Sequence, residues 1–184
     1  EGSATLTISN ANFQMARSDS IDFEIILRDN GNLILENTDM STLSNIPITI
    51  NVEDSATLSF TDTTTTSVID LMAKDSASIT LNRTTLAGNF GTGASADVTL
   101  WAWDTAFSRS IDPFTGTSEA YLVGCSSPLS PAFAINTVDD AQAWIFRWME
   151  VTVYDGMTPK NPISGATIEI TNQHPEAGND WDRS

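Results

Sequence analysis

A short apolar motif that recurs five times within the first 107 residues constrains the fold more than any other feature of the sequence. In each copy two apolar residues lie two positions apart, and a polar residue follows two positions after the second. The copies align on Leu6, Leu33, Leu58, Ile79 and Leu100, so they are spaced by 27, 25, 21 and 21 residues. A unit this short cannot bury its apolar side chains alone, whereas stacked units bury them in one continuous core.

A second apolar segment precedes the motif in the inner copies, at 23–27, 48–52 and 69–73. Both segments alternate apolar and polar residues, which predicts half-buried β-strands. Polar turn residues separate the two strands of each unit, and polar residues follow the second strand. Stacking places equivalent strands side by side in parallel, about 4.8 Å apart, and parallel crossovers are nearly always right-handed.

The sequence therefore predicts an all-β chain built on a right-handed parallel β-helix of about five rungs. We assign residues 1–110 to the β-helix, 111–142 to a cap or linker, and 143–184 to a C-terminal β-strand and hairpin, or partial β-sandwich, with a polar tail. The competing fold is an antiparallel β-sandwich, which also contains many short strands.

The repeats over about residues 2–107 resemble the right-handed parallel β-helices of microbial surface proteins. A second resemblance lies in the strand ending Val151-Thr-Val-Tyr-Asp155, the turn after it and the segment Ile163-Ser-Gly-Ala-Thr-Ile-Glu-Ile170. This pattern resembles the opening hairpin of carboxypeptidase-regulatory-like and other Ig-like modules. The two resemblances together imply an extracellular surface protein in which a solenoid precedes the start of a second β module.

Charge and composition narrow the possible partners. The 24 acidic and 8 basic residues give a formal net charge of −16, which excludes nucleic acid as a partner and argues against anionic membranes. No apolar run approaches the ~18 residues that a membrane-spanning helix needs. Cys125 is the only cysteine, so the chain has no internal disulfide. Abundant Ser, Thr, Asn and Asp together with few lysines are common in secreted proteins, and we expect an extracellular or cell-surface location.

Acidic residues recur at one corner of the predicted rungs. Asp29, Asp54 and Asp75 should stack about 5 Å apart, where like charges need water, a cation or a base beside them. This column is a candidate Ca²⁺ site, and solvated corner residues are the alternative. The sequence calls for no cofactor other than this possible Ca²⁺. Bases are scarce and no catalytic motif is present, so we expect no enzymatic activity.

A threonine column, Thr38, Thr63, Thr84 and Thr105, follows the second corner. We interpret these residues as stacked corner residues that hydrogen-bond between rungs, with a surface array of the ice-binding kind as the alternative. Asn82, in Asn82-Arg83-Thr84, is the single N-glycosylation sequon and a weak candidate, because such triplets often arise by chance.

Four tryptophans form the candidate binding or assembly surface: Trp101, Trp103, Trp144 and Trp148. If the neighbouring Leu100 and Ala102 face the core, alternation turns Trp101 and Trp103 outward. Exposed tryptophan pairs bind sugars or proteins, or lie beneath a covering segment, and the strand that begins at Ala143 is the expected cover.

These features predict a structural extracellular protein: a sheath, filament, stalk or cell-wall subunit that forms homo-oligomers or polymers through its strand edges and aromatic C-terminal segment. A carbohydrate-binding or carbohydrate-active β-helix that recognises surface glycans is one alternative. An adhesin fragment is the other.

Overall fold

The computed structural model describes residues 3–15, 24–43, 47–66, 68–109, 111–126, 135–147, 152–157, 161 and 163. These residues form strands and turns and no helix, and therefore contain no helix that could cross a membrane. The strands are β1 (Thr5–Ser9), β2 (Asn12–Met15), β3 (Glu24–Leu27), β4 (Asn32–Glu36), β5 (Asp39–Thr42), β6 (Ile48–Val52), β7 (Thr57–Thr61), β8 (Thr64–Thr65), β9 (Ile69–Ala73), β10 (Ser78–Asn82), β11 (Thr85–Leu86), β12 (Phe90–Thr92), β13 (Thr99–Trp103), β14 (Ala106–Phe107), β15 (Ile111–Phe114), β16 (Glu119–Val123), β17 (Ile135–Thr137) and β18 (Gln142–Phe146).

The strands form three parallel sheets. Sheet A has the order β1-β4-β7-β10-β13-β16-β18, sheet B the order β14-β11-β8-β5-β2, and sheet C the order β17-β15-β12-β9-β6-β3. Neighbours in each sheet come from successive rungs. Strands β1 to β15 make five turns that each contribute to all three sheets, and β16, β17 and β18 continue the stack, so the chain is a parallel β-solenoid of about five complete turns. The predicted parallel solenoid is confirmed and the antiparallel sandwich is wrong, while the right-handed sense stays a prediction.

The predicted register of the apolar columns is also confirmed. Leu6 pairs with Leu33, Leu33 with Leu58, Leu58 with Ile79 and Ile79 with Leu100. The inner members are at most 3% exposed, so the column is the interior of the solenoid. Two residues further on, Leu35, Phe60, Leu81, Ala102 and Leu122 form a second fully buried column.

Left-handed backbone conformations mark the two corners that flank sheet A. At the corner before the sheet, Asp29, Asp54, Asp75, Ser95, Gly116 and Asp139 have φ between 54° and 70°. At the corner after it, Asn10, Asn37, Asp62, Arg83, Asp104 and Gly124 have φ between 46° and 65°. Asn, Asp and Gly tolerate this conformation best, which explains why polar residues recur at these positions.

The solenoid continues beyond residue 110, where the sequence analysis ended it. In β16, Ala120 pairs with Leu100, and in β18, Ala143 pairs with Ala120, both in the register of the earlier rungs. The segment assigned to a cap or linker therefore contains strands β15, β16 and β17. The strand expected to cover the tryptophans runs from Ala143 to Val153, and its first part lies in β18, the last strand of sheet A, so this part does not cover them. Alanine at both anchor positions weakens the motif, which hid these rungs.

The threonine column forms an internal hydrogen-bonded ladder. The Thr63 hydroxyl donates to the carbonyl oxygen of Leu35 in the preceding rung at 3.2 Å and to that of Thr61 at 3.1 Å. The Thr38 and Thr84 hydroxyls make the equivalent pair of bonds, and all four threonines of the column are buried. The corner interpretation is thus confirmed, because buried hydroxyls cannot form an array at the surface.

Cys125 occupies the next position of this threonine column. Its thiol lies 3.4 Å from the carbonyl oxygen of Ala102 and 3.6 Å from that of Val123, the same two positions that the threonines use. Desolvation by burial raises the pKa of the Cys125 thiol. The single cysteine therefore replaces a threonine hydroxyl in the ladder and is kept in its neutral form.

The chain divides into two compact units, 1–148 and 149–184. In the second unit, backbone hydrogen bonds join Asp155 to Asn161 and Ile163 to Val153 at 3.0 and 2.8 Å. The Asp155 carboxylate accepts hydrogen bonds from the backbone N–H and the side chain of Asn161, which lower its pKa, and a further bond from the backbone N–H of Met157 acts in the same direction. These bonds join residues near the two ends of the predicted turn, and the resemblance to Ig-like modules stays a prediction.

Replacing a column residue tests the stacking directly. Leu58→Ala should lower the free energy of unfolding by about 2–5 kcal/mol, because Leu58 is 1% exposed and its loss leaves a cavity between rungs. The matched control is Ser59→Ala on the outer face of the same strand, which should change stability by less than about 0.5 kcal/mol. Urea denaturation measures both, and equal effects would contradict the inward and outward assignment.

Candidate functional site

Three aromatic side chains on the outer face of sheet A stack on one another across successive strands. Trp101 in β13 pairs with Tyr121 in β16, which pairs with Trp144 in β18. The ring centroids lie 4.0 Å and 4.7 Å apart, with interplanar angles of 9° and 8°. We call Trp101, Tyr121 and Trp144 the aromatic ladder. Trp103 also stacks on Trp101, with ring centroids 5.4 Å apart and an interplanar angle of 10°.

The alternation of inward and outward side chains along each strand places these rings on the outer face of sheet A. Leu100 and Ala102 are fully buried, so Trp101 and Trp103 face outward, as the sequence predicted. Two nearly parallel rings whose centroids are 4.0 Å apart must lie face to face, since side-by-side rings would overlap at that distance. The faces of the ladder rings therefore point along the solenoid axis, and their edges point away from the sheet.

The ladder contains Trp101 and Trp144 of the predicted tryptophan set, and Trp103 stacks on Trp101. Tyr121 was missed, although the alternation of Tyr121-Leu122-Val123 places its ring on the same face as the tryptophans. Trp148 lies outside the described residues. The Tyr121 hydroxyl donates a hydrogen bond to the Glu119 carboxylate at 2.8 Å, and this bond, with smaller contributions from desolvation and the charge of Glu119, raises the pKa of Tyr121.

The outer face around the ladder carries very little charge. Among the outward positions in the seven described strands of sheet A, only Glu36 and Glu119 are ionisable at neutral pH. Strands β7 and β10 present Ser, Thr and Asn there, whereas β13, β16 and β18 present mainly aromatic and apolar residues. One face of the sheet is thus divided into a hydroxyl half and an aromatic half, in a chain of net charge −16.

The three aspartates of the predicted cation column do lie together, at the corner before sheet A. The backbone N–H of Asp29 donates to the Asp54 carboxylate at 3.0 Å, and that of Asp54 donates to the Asp75 carboxylate at 3.2 Å. The Asp54 and Asp75 carboxylates thus each bind the corner of the preceding rung. No group of three or more acidic, histidine or cysteine side chains within the described ranges is placed to hold a metal ion. Calcium binding by this column stays a prediction.

An ion-pair ladder runs beside the aspartates. Glu53 accepts hydrogen bonds from Lys74 at 2.9 Å and from Arg28 at 2.8 Å, so one carboxylate joins basic residues from the rungs before and after it. Lys74, and then Arg28, hold the pKa of Glu53 below its usual value. This ladder supplies positive charge to an acidic corner, which explains the position of two of the chain's few bases.

The candidate glycosylation residue Asn82 lies at the outer end of β10 and is half-buried. Its neighbours across the sheet are Thr61 and Trp103. The sequon threonine, Thr84, is fully buried and bonded to the carbonyl oxygens of Phe60 and Asn82. Glycosylation of Asn82 stays a prediction, and it would require modification before this threonine is buried.

No protein-family model, curated protein or solved structure matches this chain. The fold and surface therefore define its class: an all-β parallel solenoid with an aromatic ladder on one outer face.

Acidification tests the Glu53 ion-pair ladder. Because folding lowers the Glu53 pKa, the ionised carboxylate stabilises the fold above the ordinary glutamate pKa of about 4.3, and this contribution is lost as the pH falls through the folded-state value. Glu53→Gln should therefore be less stable than the wild type at pH 7, and the difference should shrink below about pH 4. Urea midpoints at both pH values measure this. A Lys74→Met variant should behave similarly, and a pH-independent difference would contradict the assignment.

Removing the middle ring tests the aromatic ladder. Tyr121→Ala deletes both stacked contacts and should destabilise the chain by about 1–3 kcal/mol, with loss of near-ultraviolet circular dichroism from the coupled rings. Tyr121→Phe keeps the ring and loses only the bond to Glu119, so it should retain most of both signals. If Tyr121→Phe were as damaging as Tyr121→Ala, the hydroxyl rather than the stack would be the important group.

Proposed function

We propose that this chain is a structural, non-enzymatic subunit of an extracellular or cell-surface assembly, in which copies associate through the edge strands of sheet A. The observation that carries the proposal is the exposure of apolar side chains at both edges. Leu6 in β1 is 59% exposed and Ile145 in β18 is 44% exposed, although residues of the same columns between them are buried. An apolar column that is exposed at its last member favours an additional rung, and a second copy can supply one.

The solenoid register specifies the geometry of this association. If β18 of one copy pairs in parallel with β1 of the next, Ala143 lies beside Leu6 and Ile145 beside Ile8. The apolar columns then continue from copy to copy. Because the two surfaces differ, the contact is heterologous and extends into a filament rather than closing as a dimer.

The aromatic C-terminal edge supports the same role. Trp144 and the exposed Phe146 lie on β18 beside Ile145, so an incoming strand would cover apolar surface on both sides of the sheet. The net charge of −16 opposes association of identical copies, and screening by salt should reduce this repulsion. The proposed surface location draws on the Ser-, Thr-, Asn- and Asp-rich composition and on the resemblance of the repeats.

Self-association can be tested with one charge placed at the proposed contact. The wild-type chain should form concentration-dependent oligomers in sedimentation velocity experiments at micromolar concentration, and their proportion should rise from low to moderate salt. Ile145→Lys should shift the population to monomers, because the new charge would be buried against Ile8 of the next copy.

Met72→Lys is the control. Met72 is half-buried on the outer face of β9, in the middle of sheet C, so it lies away from the edge strands that an incoming copy would meet. It should leave the oligomer distribution unchanged. A wild-type chain that stays monomeric at every salt concentration, or equal effects of the two lysines, would overturn the proposal.

A further inference from the structure

We infer that the stacked rings of sheet A relay a one-electron oxidation to Tyr121, which passes its phenolic proton to Glu119. The relay consists of the aromatic ladder together with Trp103, and we call these stacked rings the aromatic relay. The oxidant is a soluble one-electron acceptor, such as a metal complex, that meets an indole ring at the outer face of the sheet. The relay lies within a single chain, so it does not depend on the proposed association of copies.

The rings of the aromatic relay form a continuous stack. The centroids of Trp103 and Trp101 are 5.4 Å apart, and those of Trp101 and Tyr121 are 4.0 Å apart. Trp144 stacks on the other side of the phenol ring at 4.7 Å, and no interplanar angle in the stack exceeds 10°. Electron transfer slows steeply as the gap between donor and acceptor widens. Stacked rings at these distances therefore exchange an electron faster than they would across intervening protein.

The indole rings are the entry point for the oxidant. Each ring of the relay is half-buried on the outer face of sheet A, so a small oxidant can reach an indole without entering the core. The net charge of −16 attracts cationic oxidants to the chain. An indole gives up an electron without first losing a proton, whereas a phenol is much harder to oxidise unless its proton leaves as well.

Tyr121 is the ring that has a proton acceptor beside it. Its hydroxyl donates a hydrogen bond to the Glu119 carboxylate at 2.8 Å, which is within the range for direct proton transfer. No other ionisable side chain than these two occupies a described outward position of β13, β16 or β18. A stack that only stabilised the sheet would not need this hydroxyl, because a phenylalanine ring would stack as well.

The electrons and protons of the relay balance. The oxidant takes one electron from an indole and leaves a tryptophan radical cation. Tyr121 then gives one electron to that radical cation, which restores the indole. At the same time its O–H bond breaks, and the proton forms a new O–H bond on Glu119. The products are the reduced oxidant, a neutral tyrosyl radical and a protonated glutamate.

Flash photolysis tests the relay in a chain that retains only its rings. The sequence has five tryptophans and two tyrosines, so Trp148→Phe, Trp181→Phe and Tyr154→Phe together leave the relay as the only tryptophan and tyrosine residues. Photo-excited ruthenium(II) tris-bipyridine with a cobalt(III) quencher supplies the oxidant, and transient absorption distinguishes the two kinds of radical. The tryptophan signal should appear first and be replaced by the tyrosyl signal, at a rate independent of protein concentration.

Three conservative substitutions in this chain separate the relay from the fold. Tyr121→Phe keeps the ring and should leave the tryptophan signal unconverted. Glu119→Gln removes the proton acceptor and should slow the conversion by about tenfold or more. Glu36→Gln is the matched control, because Glu36 is the other ionisable outward residue of the described part of sheet A and lies on β4, away from the relay. It should leave the rate unchanged.

The inference is overturned if no tyrosyl signal forms, if Glu119→Gln converts as fast as its parent, or if Glu36→Gln slows the conversion equally. A rate that rises in proportion to protein concentration would also overturn it, because the electron would then pass between chains. The same substitutions in the wild-type chain give a second measurement that does not depend on the added phenylalanines. The oligomer distribution is measured separately, so failure of either proposal is recognised by itself.

Discussion

Every feature of this molecule depends on keeping successive rungs in the same register. A shift of one residue would turn each apolar column of sheet A outward, because successive side chains in a strand point to opposite faces. The left-handed corners prevent such a shift. They recur at the same two positions of each rung, before and after sheet A, and the backbone N–H groups of Asp29 and Asp54 are each bound by the aspartate of the next rung. A slipped strand would place a side chain that tolerates this backbone poorly at a corner and would break these bonds.

The corner chemistry also explains how a strongly acidic chain can stack its acids. Asp54 and Asp75 each accept a backbone N–H, which is a partner for the charge that requires no base. Glu53 draws Arg28 and Lys74 into the same corner. Acidic residues at the corner before sheet A thus act as hydrogen-bond acceptors between rungs. These bonds and the two ion pairs of Glu53 offset the repulsion expected between stacked carboxylates. This structural role is sufficient to explain the column, whether or not a cation also binds there.

The fold could be predicted from the sequence as far as large apolar residues marked each rung. Leu33, Leu58 and Ile79 were sufficient to give the rung length, the parallel pairing and the correct register. The later rungs were missed because Ala120 and Ala143 occupy the anchor positions, and a small side chain gives little contrast with its polar neighbours. The sequence alone did not reveal the role of Cys125 either. Its equivalence to the threonines of the buried column is visible only once the rungs are stacked.

The candidate site was predictable in orientation but not in arrangement. Alternation alone turns Trp101 and Trp103 outward. Stacking with Tyr121 requires the register between β13 and β16, which the weakened motif did not reveal. The interior and corners of this solenoid repeat because each rung must fit the next. Its outer face is free of that requirement, so the change there from serine and threonine to tryptophan and tyrosine within one sheet has a cause of its own. Stacking of the rings from rung to rung is one such cause, and the proposed association of copies at the edge strand that carries Trp144 and Phe146 is another.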